Sequence, residues 1–256
     1  MSAHQPPDNA KARFSNRVAD YVKYRPGYPE EVMALLRRAG LRDGSKVADI
    51  GSGTGIFSKL LLDAGHEVFA VEPNAEMRAA AEVLLGRSSS FHSIAASGEE
   101  TTMPDQSMDW IVSAQAFHWL DLSRARAEFS RLLKPAGLIA LIWNVRQTDS
   151  TPFLREYEDL LLSYAPEYAQ VRHENVDAEA LASFFKNGCF EKHVFSNAQT
   201  FDLAGLRGRL LSCSYAPASG HALHAPMLTE LERLFEAHQR DDVVEFRYHT
   251  EVFIGG

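Results

Sequence analysis

The run Asp49-Ile50-Gly51-Ser52-Gly53-Thr54-Gly55 places three glycines at alternate positions behind a short apolar stretch. Glycines let the backbone turn tightly and let a ligand approach the N–H groups exposed at the start of a following helix. Glu72 comes 21 residues after Gly51, where a second strand would end. A carboxylate in that place can accept hydrogen bonds from both hydroxyls of a ribose. The spacing rules out two familiar nucleotide cradles. A dinucleotide turn needs G-x-G-x-x-G, yet Ile56 stands three residues after Gly53. A P-loop needs G-x-x-x-x-G-K-[ST], and Ile56 again occupies the place of the second glycine. Without a ligand, the same residues would make a tight strand-to-helix turn, with Asp49 fixing the loop amides.

His118 and Trp119 follow another apolar run, Trp110 to Ala114. They would stand at the carboxyl edge of a parallel sheet, where α/β proteins bind ligands. His118 is the one candidate catalytic residue: it could be a general base for a hydroxyl or phenol, or could orient a carboxylate. It could also be a packing histidine bonded to backbone. Trp119 and Trp143 are candidates for contact with a second substrate. His221-Ala222-Leu223-His224 has no acidic or thiol partner in register, so no metal is expected. Cys189 and Cys213 lack metal-like spacing and read as buried packing residues.

These residues need a scaffold, and the hydrophobic pattern supplies one. Phe14 to Tyr24 and Glu30 to Ala39 have helical spacing, the second closed by Gly40. Strands are predicted at Lys46 to Ile50, Glu67 to Val71, near Ser90 to Ile94, at Trp110 to Ala114 and at Leu138 to Trp143. Helices fall between them at Ile56 to Ala64, Ala75 to about Leu85 and Ser123 to Leu133, and Lys134-Pro135-Ala136-Gly137 reads as a turn. This alternation predicts a parallel sheet between helical layers. After Asn144 the pattern loosens: helices at Phe153 to Tyr164 and Ala178 to Lys186 read as an insertion. Glu191 to Phe201, helices around Leu203 to Ser212 and Met227 to Ala237, and Val243 to Ile254 complete the chain. One domain over 1–256 is expected, with a loose arm at 1–13 and an acceptor-site insertion at 145–190.

Composition narrows the partners. The chain of 256 residues is 45% hydrophobic with a formal net charge of -8, and it has no dense basic run. Nucleic-acid binding draws most of its affinity from neutralised phosphates, so no nucleic-acid partner is expected. No stretch approaches the ~18 apolar residues of a membrane span, and Met1 to Ala12 has no apolar signal core. A cytoplasmic protein with a small-molecule partner is expected.

The G-x-G-x-G spacing resembles the first motif of class I S-adenosylmethionine-dependent methyltransferases. The likeness extends to Tyr24-Arg25-Pro26-Gly27-Tyr28-Pro29, Val71-Glu72-Pro73-Asn74, Ala114-Gln115-Ala116-Phe117-His118-Trp119 and Leu133-Lys134-Pro135-Ala136-Gly137. Together these resemble the trans-aconitate methyltransferase-like subgroup. The resemblance implies a Rossmann-like, seven-stranded, mostly parallel sheet whose last strand is antiparallel, with helices on both faces. It implies S-adenosyl-L-methionine as cofactor, with Gly51, Gly53 and Gly55 lining its methionine moiety and Glu72 holding its ribose. Asn74 and Met77 would flank the adenine. Ser97 and Gly98 stand where many relatives have Asp-Ala, which weakens the expected adenine contact. Ala114 and Gln115 would lie under the transferred methyl, and Tyr24 and Arg25 would close over the methionyl end. Plain alternatives are a surface turn for Arg25, core packing for Met77 and a non-catalytic binder or nucleotide-dependent oxidoreductase for the whole.

Overall fold

The computed structural model describes residues 23–168, 181–182 and 184–256. The arm at 1–13, most of the helix expected from Phe14, and 169–180 of the expected insertion lie outside them. The first described helix, α1 (Glu30–Arg38), has Glu30 and Glu31 in its first turn and Arg37 and Arg38 in its last, charges that suit the helix dipole. Next come β1 (Lys46–Ile50), α2 (Ile56–Asp63), β2 (Glu67–Val71), α3 (Ala75–Leu85), β3 (Phe91–Ile94) and β4 (Met108–Ala114). A short 3-10 turn (Phe117–Trp119) leads to α4 (Leu122–Leu132), β5 (Leu133–Arg146) and α5 (Pro152–Tyr164). The chain closes with β6 (Glu191–Phe201), α6 (Leu203–Leu211), α7 (His224–His238) and β7 (Val244–Gly255).

The seven strands form one sheet in the order β3-β2-β1-β4-β5-β7-β6. Pairings from β3 to β5 are parallel, and β7 runs antiparallel to both β5 and β6. This is the expected Rossmann-like sheet, with its last strand reversed. Successive side chains of a strand point to opposite faces, and here both faces are apolar. Val47, Trp110, Val112, Ala140 and Val252 pack with α1 and α2. Their neighbours Ala48, Ile111, Leu141 and Phe253 pack with α4 on the other side. A third cluster joins α5, α6 and α7 to Val244, Phe246 and Tyr248 of β7. The strand order reverses direction between β1 and β4, which opens a crevice at the carboxyl ends of the strands.

Two local readings are corrected. Lys134 to Gly137 is not a turn before β5 but an irregularity inside it: pairing jumps from Met108↔Leu133 to Trp110↔Leu138. Pro135 has no N–H for the ladder, and Lys134 Nζ reaches back to Asp109 Oδ1 at 2.6 Å, so the extra residues loop out without ending the strand. Of the two cysteines only Cys213 is buried, and Cys189 is exposed beyond the short turn at Lys186–Gly188.

The segment before α1 is tied down at several points. Asn144 Nδ2 and Asn197 Nδ2 both donate to the Gly27 carbonyl, at 3.1 and 2.9 Å. Tyr24 lies so close to α6 that a Cβ on Gly208 would come within 1.9 Å of its ring. Alanine normally gains about 1 kcal/mol over glycine in a helix interior. We expect Gly208→Ala to lose ~1–3 kcal/mol instead, because the overpacked ring must move. An unchanged or raised urea midpoint would mean that Tyr24 is not held there.

Candidate functional site

A cleft opens at the carboxyl ends of β1, β2 and β4, walled by the turn Gly51–Thr54 on one side and by Asn74 and Met77 on another. The turn is built on positive φ angles, +70° at Gly51 and +57° at Gly53, where side chains are strained. Gly51 has a second reason to be glycine: a Cβ would sit 2.3 Å from that of Ala116. At Gly53 the same atom would meet only Met77 Sδ at 3.8 Å, so the space above it is open cleft.

Glu72 organises this wall. It is 7% exposed; its Oε2 accepts from the Gly53 N–H at 2.9 Å and its Oε1 from the Asn74 N–H at 2.7 Å. Burial pushes its carboxyl above the usual range, against the pull of those two amides. Asn74 then caps α3, its Oδ1 accepting from Met77 N at 2.9 Å. Asp49, 1% exposed at the end of β1, accepts from Ser58 Oγ at 2.6 Å through Oδ2. Burial drives its carboxyl up to about 7, with the charge of Glu72 adding to the effect and the Ser58 hydroxyl opposing it. Among the described residues Asp49 Oδ1, Ser52 Oγ and Thr54 Oγ1 are buried without a hydrogen-bond partner. All three residues line the cleft. Buried polar atoms are almost always satisfied, so three in one wall mark a place that takes a polar ligand.

The structure brings together most of the residues singled out from the sequence. Gly51, Gly53, Glu72, Asn74, Met77, Ser97, Gly98, Ala114, Gln115 and Trp119 all line the cleft. Gly98 allows the close approach of Ile50 and Leu120, whose side chains lie within 3 Å of where its Cβ would be. Gln115 adopts a φ of +60° at the end of β4, and its Nε2 donates to the Asn144 carbonyl at 3.0 Å. Strain of this kind is concentrated at functional sites.

Others stand apart. Gly55 starts α2 behind the cleft, where a Cβ would meet Leu85 at 2.6 Å. Tyr24 packs on α6, and Arg25 donates from Nη2 to the Ser212 carbonyl at 3.1 Å. His118 and Trp143 are not lining residues. Trp143 is 4% exposed, and its Nε1 donates to His118 Nδ1 at 3.5 Å. His221 and His224 make local backbone bonds, and among the described residues no group of three His, Cys, Asp or Glu could hold a metal. Reading the sequence missed Tyr28, which lines the cleft and stacks edge-on against Phe57 at 5.0 Å. The signal was present, since Tyr28 lies within the Tyr24–Pro29 motif. Glu99, also in the lining, had none.

Residues 48–141 match the family model described as a methyltransferase domain. An uncharacterized methyltransferase of Geobacillus thermodenitrificans is 31% identical over 196 residues, covering 69% of this chain and 86% of its own. One of Mycobacterium tuberculosis is 34% identical over 148 residues, so this chain spans 58% of that relative's length and the match takes in 58% of this chain. Among solved structures, a candidate type II methyltransferase from Anaeromyxobacter dehalogenans shares the fold with a TM-score of 0.68 at 21% identity, covering 91% of this chain and 97% of its own. A phosphoethanolamine N-methyltransferase of Haemonchus contortus, in complex with S-adenosyl-L-methionine, has a TM-score of 0.54 at 17% identity, covering 96% and 58%.

Asp49 generates a prediction about stability. Its carboxyl titrates near 7 in the folded protein against an unperturbed value of 3.8. Its contribution is therefore full below pH 4 and is lost as pH rises through about 7, when a buried charge must form. Asp49→Asn should remove that loss. Urea unfolding should show the variant gaining on wild type from pH 5 to pH 8, and a constant difference would contradict the assigned titration.

Proposed function

The chain belongs to the methyltransferase family, and from that premise we propose that it transfers a methyl group from S-adenosyl-L-methionine to an oxygen of a small-molecule acceptor. The observation that carries this reading is the set of unpartnered polar atoms on Asp49, Ser52 and Thr54 beside the Glu72 carboxylate. S-adenosylmethionine offers complementary groups: an ammonium for Asp49, a carboxylate for the Ser52 and Thr54 hydroxyls, and ribose hydroxyls for Glu72. It has no phosphate, and the turn lacks both phosphate-binding spacings. When bound, the cofactor supplies a methyl group already activated on a positively charged sulfur, so the protein needs no covalent nucleophile. The chain's own part is to hold, align and exclude water. Gly51 and Gly53 keep the loop backbone open, Asn74 and Met77 wall the far end, and Ser97 and Gly98 close its floor.

We assign the acceptor to the side of the cleft beyond Ala114 and Gln115, with Trp119 at its border and the segment after Asn144 over it. The finer kinship proposed is with the trans-aconitate methyltransferase-like proteins, supported by the motifs at Tyr24–Pro29 and Ala114–Trp119. His118 is proposed to orient the acceptor. Its Nδ1 takes the Trp143 N–H, which holds the ring between Trp143 and the end of β4, beside the lining residue Trp119.

Titration calorimetry with S-adenosylmethionine and with NADH tests the reading, followed by transfer of labelled methyl into a metabolite extract. We expect binding of the first ligand only, and Glu72→Ala should weaken it by ~10-fold or more, since a charged hydrogen bond is worth ~1.5–3 kcal/mol. Unchanged affinity in a folded variant would remove Glu72 from the site. For an orienting His118, His118→Ala should raise the acceptor KM by ~10-fold or more and leave the pH profile of kcat in place. Loss of a titration near neutrality would make His118 a general base instead.

A further inference from the structure

At the carboxyl end of β5 lies a second polar interior that the cleft residues do not use. Arg146, 10% exposed in its side chain, pairs through Nη2 with Glu158 and with Tyr168 Oη at 3.0 Å, and Tyr168 Oη also donates to Glu158 at 2.8 Å. Its Nη1 is buried with no hydrogen-bond partner among the described residues. Arg209, 6% exposed on α6, donates from Nε to Tyr248 Oη at 3.3 Å and from Nη1 to Cys213 Sγ at 3.0 Å. The two guanidiniums share one aromatic wall. Arg146 lies over the Tyr157 ring at 5.0 Å, and Tyr157 packs edge-on against Phe246 at 4.8 Å, which Arg209 covers at 5.9 Å.

Charge does not balance here among the described residues. The ion pairs give Arg146 one carboxylate and give Arg209 none, only a phenol and a thiol. Burying a guanidinium without an anion is costly, and truncating either partner of a buried pair leaves a charge stranded. A fold that needed only to fill this space would do so more stably with apolar side chains. The Cys213 thiol registers the excess: although burial raises it, Arg209 and Arg25 bring it down to about 7. The planar guanidinium fork matches a carboxylate or phosphate through paired N–H bonds. The location suits an acceptor as well. Arg146 is two residues beyond Asn144, ~7 Å further along the same strand face, and the Asn144 carbonyl holds Gln115 of the cleft.

We infer that Arg146 and Arg209 form the subsite for an oxyanion, a carboxylate or phosphate, carried by the molecule that receives the methyl group. This rests on the methyl-transfer reading for the word acceptor, but not for the binding of the anion. The test saturates the protein with S-adenosylhomocysteine, so that the cleft is filled, and titrates succinate and inorganic phosphate by calorimetry against sodium chloride at matched ionic strength. One of the two should bind at a ratio of one to one, and the tighter of them identifies the source of the oxyanion. Arg146→Gln should weaken it by ten-fold or more and leave S-adenosylhomocysteine affinity within two-fold. If that variant loses its circular dichroism, Arg146→Lys, which keeps the charge but not the fork, should still weaken binding by three-fold or more. Failure of both oxyanions to bind above the chloride control overturns the subsite, as does binding undiminished in the folded variant. Failure of S-adenosylhomocysteine alone would overturn the methyl-transfer reading, and the oxyanion titration of the free protein would still decide the subsite.

Discussion

The Glu72 carboxylate is the interaction on which the cleft depends. Its two oxygens accept the amides of Gly53 and Asn74, and so join the end of β2 to the turn after β1 and to the start of α3. A carboxylate that accepts amides from two segments sets their spacing as no apolar contact could, because the bonds are directional and the group is buried. Gly51 and Gly53 with their positive φ angles stand on one side of that junction, and the cap of Asn74 on Met77 stands on the other. Only the carboxyl ends of adjacent parallel strands could place these groups together, which makes the strand order β2-β1-β4 part of the site.

The same arrangement is costly to the folded protein. Asp49 and Glu72 are both buried and both have raised carboxyl pKa values, and three polar atoms of the cleft wall lack partners among the described residues. A chain optimised for stability alone would not keep them. The expense is local, since the apolar clusters on either side of the sheet are continuous. At the carboxyl end of β5 the pattern repeats with the opposite sign, where Arg146 and the buried Arg209 have one carboxylate between them, Glu158, paired with Arg146. One cleft edge is thus acidic and the neighbouring interior basic, although the formal net charge of the whole chain is only -8.

Sequence alone determined the features that depend on neighbours along the chain. Short apolar runs and period-3.6 patterns specified the strands and nearly every described helix, and glycine spacing with Glu72 specified the main wall of the cleft, because turn geometry and strand length are local properties. The irregularity at Lys134–Gly137 escaped because its register depends on Asp109 and Met108 of another strand. Tertiary structure alone decided which residues meet across long separations. It put Tyr28 into the cleft through Gly27, Asn144 and Asn197, and it set Gly55 behind the wall against Leu85. It placed His118 against Trp143, and it gathered Arg146, Glu158, Arg209 and Cys213 into one interior. None of these contacts leaves a period or a motif in the chain, since each is a choice of partner made by packing, and packing is known only once the sheet has closed.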